Sequence, residues 1–111
     1  MSMLKSSECK TLIQLVINTP SVKQAVASLE HITRNQTLAI SEIVYNILEG
    51  HIALSPQDKK SFARHKQLLR SLGTKTLSSK ARVCLITTKD RVLVGLFRRI
   101  KAKLSTVLSK V

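Results

Sequence analysis

ARVCLITT, residues Ala81–Thr88, decides whether this chain is wholly helical or mixed. Val83, Ile86, Thr87 and Thr88 are β-branched, which suits a strand. A lone strand has nothing to pair with in a chain whose other segments read as helices. The stretch is therefore read as a short helix capped by Ser78 or Ser79.

The segments on either side carry helical periodicity. In SSECKTLIQLVINTP, Cys9, Leu12, Ile13, Val16 and Ile17 follow the i, i+3, i+4, i+7 template, with Ser6 or Ser7 as cap. Asn18, Thr19 and Pro20 close that helix, and the next is expected to start with Thr19 as N-cap and Pro20 in its first turn. It aligns Val22, Ala25, Val26, Leu29 and Ile32. A third helix, expected after RNQ (34–36), aligns Ile40, Ile43, Val44, Ile47 and Leu48, and Gly50 supplies its left-handed end. Ser55, Pro56 and Asp58 form the next helix start, and Phe62, Leu69 and Leu72, with His65 between them, make a stripe ending at Gly73. Asp90 is expected to cap a final helix in which Leu93, Phe97, Ile100, Leu104, Val107 and Val111 recur at steps of 4, 3, 4, 3, 4. That seam has three available uses: closing the core, pairing with another copy, or entering a lipid interface. The predicted architecture is an all-α, compact bundle of about five to six short amphipathic helices forming one domain over residues 1–111.

Charge divides the chain sharply. From Met1 to Leu54 four Lys or Arg balance four Glu, whereas from Ser55 to Val111 fifteen Lys or Arg face only Asp58 and Asp90. The second half thus carries the whole formal charge of +13. The expectation is a neutral half, 1–54, that supplies the core, and a basic half, 55–111, that meets a polyanion. Solubility asks for a net charge of only about 2 to 8 in a small domain.

Several function classes find no support in the residues. His31, His51 and His65 lack metal-ligand spacing, and Glu42 and Glu49 lie on the polar side of their helix. With three glycines there is no phosphate-cradling loop and no nucleophile elbow. No catalytic set, metal, cofactor or small-molecule substrate is expected. Cys9 and Cys84, 75 positions apart, read as reduced thiols of an intracellular protein that is not secreted. No stretch reaches the roughly 18 apolar residues of a membrane span.

Like charges one helical turn apart, such as Lys60 with Arg64 and Lys66 with Arg70, destabilise a helix unless something neutralises them. The expected phosphate contacts are Lys59, Lys60, Arg64, Lys66, Arg70, Lys75, Lys80 and Arg82, with Arg98, Arg99, Lys101 and Lys103 as a second patch. The aromatics are only Tyr45, Phe62 and Phe97, too few for base stacking of single strands. Gln67 alone in the basic helix gives weak support for a base-reading helix-turn-helix. The residues thus point to sequence-independent contact with a duplex backbone.

Residues 39–86, AISEIVYNILEGHIALSPQDKKSFARHKQLLRSLGTKTLSSKARVCLI, resemble small basic proteins of Polinton-like and adintovirus-type double-stranded DNA elements of animals. Those proteins read as an apolar helix, a turn, a Lys/Arg-rich helix and a further basic segment. Here Ile47, Leu48, Gly50, Ile52, Leu54 and Ser55 match the helix end and turn. Lys66, Leu69, Arg70 and Leu72, then Lys80 and Arg82, match the basic part. Many members end in a GGFLP-like tail similar to adenovirus core protein X, whereas TTKDRVLVGLFRRIKAKL here has only Gly95 and stays basic. The resemblance implies a DNA-binding, core-like structural protein, located in the virion and the host nucleus, with double-stranded DNA as partner. The alternative is a minor capsid or interaction protein that meets a capsid protein or an anionic membrane, or self-associates, through its C-terminal helix.

Overall fold

A computed structural model of the chain describes residues 3–74 and 76–111. After a 3-10 turn at Met3–Lys5 come eight α-helices among the described residues: α1 (Ser7–Asn18), α2 (Val22–Ala27), α3 (Arg34–Leu48), α4 (Pro56–Ala63), α5 (Lys66–Gly73), α6 (Ser79–Thr88), α7 (Asp90–Arg99) and α8 (Lys101–Lys110). No strand occurs among them. ARVCLITT is indeed helical, and Ser78 caps it by accepting from the Ala81 N–H at 3.2 Å.

Two helices expected to be continuous are each broken in two, so the described residues hold eight α-helices where about five to six were expected. The first break is at Arg64 and His65, and the second is at Ile100 (φ −110°, ψ 29°). Neither contains proline or glycine. Both follow from packing: α4 lies against α7 while α5 lies along α3, so one straight rod cannot serve both partners. Likewise α7 packs on α1 and α2, and α8 turns onto α1.

Other ends were set by side-chain chemistry. Thr33 caps α3 in a reciprocal box: its hydroxyl accepts from the Gln36 N–H, and the Gln36 carboxamide accepts from the Thr33 N–H. RNQ is therefore the first turn of α3 and not its approach. At the other end Gly50 takes φ +78°, and the N–H groups of Gly50 and His51 reach back to the carbonyls of Ile47 and Asn46. Ser21, not Thr19, caps α2. Ser55 caps α4 with Pro56 in its first turn, as expected. Lys89, not Asp90, holds the N-cap position of α7.

The core is drawn from both halves of the chain. Ile13, Ile40, Ile43 and Val44 from the neutral half meet Leu72, Ile86, Leu93 and Phe97 from the basic half in one cluster. α3 and α5 cross closely at Gly73, where an added Cβ would stand 2.8 Å from Leu48 Cδ1. The expectation of a separate neutral core half gives way to interleaved halves. The Cα radius of gyration is 12.6 Å, against about 13 Å for a single domain of this length.

The C-terminal seam has one of its three available uses. Leu93, Phe97, Ile100 and Leu104 are buried by the chain itself, and Val107 and Val111 pack half-buried against the same cluster. The seam packs into the monomer's core. Among the described residues no helix is long and apolar enough to cross a membrane.

Candidate polyanion interface

The bend between α4 and α5 creates a strongly cationic relief. Phe62 anchors α4 and Leu69 and Leu72 anchor α5, so Arg64 at the corner is turned outward. Three adjoining concavities share Arg64. One of about 620 Å³ runs along α5 with Lys66 and Arg70 on its walls. One of about 410 Å³ lies between α5 and the α6–α7 junction and is bounded by Lys89. One of about 270 Å³ lies between α4 and α7 and is bounded by Arg91 and Arg99. Gln67, Ser71 and Ser61 add neutral polar groups, and no Asp or Glu lines any of the three.

Ion pairing hardly relieves these charges. Among the described residues the one salt bridge joins Arg99 Nε to Asp58 Oδ1 at 3.0 Å. Asp58 thus serves α7 instead of completing a capping box at Ser55. Asp90 Oδ1 accepts from the Arg91 N–H at 2.7 Å. Two of the four acids of the neutral half are engaged within that half: Glu8 accepts from the Thr33 hydroxyl, and Glu42 from the Met3 N–H. Arg64, Lys66, Arg70, Lys89 and Arg91 therefore outnumber the acids near them, Asp90 being the one between Lys89 and Arg91, and their mutual repulsion raises the affinity of the surface for a polyanion.

The expected contact residues divide into two groups. Lys59, Lys60, Arg64, Lys66, Arg70, Lys80 and Lys101 are exposed, as a phosphate contact requires. Arg82 is not: it is 7% exposed, and its Nη2 donates to the Thr74 carbonyl at 2.6 Å. Arg98 is engaged across the fold, its Nη1 donating to the carbonyls of Val16 (3.1 Å) and Thr19 (2.6 Å) at the end of α1. Arg99 is the salt-bridge partner of Asp58, and Lys103 Nζ donates to the Ala53 carbonyl. Of the second patch, Lys101 and Arg99 are exposed, Arg99 beside Asp58, whereas Arg98 and Lys103 are half-buried and bonded to backbone carbonyls. Lys75 lies outside the described residues.

Lys89 and Arg91 line the concavities but escaped the sequence reading. They sit in TTKDR, which registers as punctuation between two helices and not as a helix face. The available signal was two cations around one acid, a local excess of positive charge; Asp90 accepts from the Arg91 N–H and makes no ion pair with either side chain.

Compared with protein families, curated proteins and solved structures, the chain matches none. The reading of this surface accordingly rests on its own geometry and charge.

Proposed function

We propose that this chain binds double-stranded DNA through phosphate contacts, without regard to sequence, as a core-like structural protein of a virus-like element acting in the virion and the host nucleus. The observation that carries the reading is the acid-free relief centred on Arg64, where five exposed cations converge from α5, the α4–α5 corner and the α6–α7 junction. Phosphate neutralisation with counterion release is the favourable process such a surface performs best. Phe62 and Phe97 are buried and Tyr45 lies on α3 away from these concavities, so no aromatic platform favours stacked single strands. The viral assignment is supported by the resemblance of residues 39–86 to basic proteins of animal DNA elements. The seam residues Leu93, Phe97, Ile100 and Leu104 are buried in the core, which favours this reading over a membrane-active or self-pairing C-terminal helix.

Fluorescence anisotropy with several unrelated duplexes tests the proposal. Arg64→Gln, Lys89→Gln and Arg91→Gln together are expected to weaken every duplex alike, by about tenfold or more, because phosphate contacts carry no base information. Lys23→Gln on exposed α2 serves as the control and is expected to change nothing. Unaltered affinity in the triple variant, or loss for one duplex only, rejects the proposal.

A further inference from the structure

A second concave feature has a different chemistry. The end of α3, the turn through Gly50–Leu54, and α4 with α5 enclose a groove of about 570 Å³. Its floor is Ile47, Ile52, Phe62 and Leu69. Leu48, 43% exposed, forms one wall and is held there by its close packing over Gly73. Lys59 and Lys66 stand on the rim, exposed; no acid lines the groove, and Asp58, next to Lys59 in the chain, is paired with Arg99. A phosphodiester backbone does not fit this groove, since its charge would lose water against an apolar floor. An exposed leucine over an apolar trough, rimmed by cations, is instead complementary to apolar side chains carried on an acidic scaffold.

We propose that this groove is the docking site for an acidic amphipathic helix of a partner protein, which sets its apolar ridge between Leu48 and Phe62 and its carboxylates against Lys59 and Lys66. The mode is helix-in-groove recognition, with the apolar anchors giving affinity and the lysine rim setting orientation. Lys66 also borders the Arg64 relief, so the acidic helix and DNA compete for it. The docking does not depend on the DNA-binding reading, because the floor and the Leu48 wall contribute nothing to phosphate contact.

The test uses the full chain and a synthetic helical peptide with leucines at i, i+4 and i+7 and glutamates on both flanks, beside a scrambled peptide of equal composition. Calorimetry is expected to show saturable 1:1 binding of the patterned peptide, with the scrambled one weaker by about tenfold or more. Leu48→Asp and, separately, Ala53→Asp, both at exposed positions of the groove, are expected to weaken the patterned peptide by about tenfold while duplex DNA affinity changes less than about twofold. Far-UV circular dichroism establishes that each variant is folded. Equal binding of the two peptides, or unchanged peptide affinity in both folded variants, overturns the proposal. So does self-association of the chain that Leu48→Asp abolishes, since the groove would then belong to a second copy.

Discussion

Arg98 and Arg64 carry the same guanidinium in the same basic half, yet one closes a helix end and the other faces solvent. Arg98 Nη1 satisfies two carbonyls at the end of α1 that no helical N–H reaches. Arg98→Gln should therefore lower stability by about 1.5 to 3 kcal/mol, read as a shift of the urea midpoint, and leave DNA affinity nearly unchanged. An unshifted midpoint with weakened DNA binding would instead make Arg98 a phosphate contact. The two thiols differ in the same way. Burial, together with the nearby carboxylates of Glu8 and Glu42, pushes the Cys9 thiol up despite its hydrogen bond with Ser6. The folded state thus favours the protonated thiol. Its contribution is intact below the unfolded value of about 8.5 and is lost as pH rises from there through the folded value. Brief alkylation at pH 8 followed by mass spectrometry should modify exposed Cys84 alone, with Cys9 reacting only in denaturant. Equal rates at both sites would mean that α1 is not packed as described.

At the scale of elements, α7 is the member that cannot be removed. It touches α1, α2, α4, α6 and α8, and it buries Leu93, Val94, Leu96 and Phe97. Deleting residues 91–111 should therefore abolish cooperative thermal unfolding, whereas a merely peripheral C-terminal helix would leave the transition in place. Ile43→Asp in α3, which buries a carboxylate beside Ile40, Val44 and Ile47, should do the same. Element type was legible in the sequence because apolar residues recur at helical spacing. Many ends were legible because Gly50, Ser55, Pro56 and Ser78 act within their own neighbourhoods. The breaks at Arg64–His65 and Ile100 were not, because their local sequence permits a straight helix and only the distant partners of α4, α5, α7 and α8 impose the bend. The candidate site was legible in the same measure. The cations of α4 and α5 were found from periodicity alone. That Arg98 meets Val16, 82 positions away, depends on tertiary proximity that no spacing rule reports.

For the whole molecule, the neutral and basic halves fold into one core while the charge remains on one set of helices. The fold uses the basic half's apolar residues and some of its cations, and leaves Arg64, Lys66, Arg70, Lys89 and Arg91 around shared concavities without acids. Such an arrangement costs repulsion in the free protein and recovers it on meeting a regular row of anions. The most direct measurement of that claim is the salt dependence of binding to random-sequence duplex DNA. Five phosphate contacts predict that log affinity falls linearly with log salt at a slope of about −4 to −5, with unrelated duplexes bound within a few-fold of one another. A slope near zero, or strong preference for one sequence, would contradict the account.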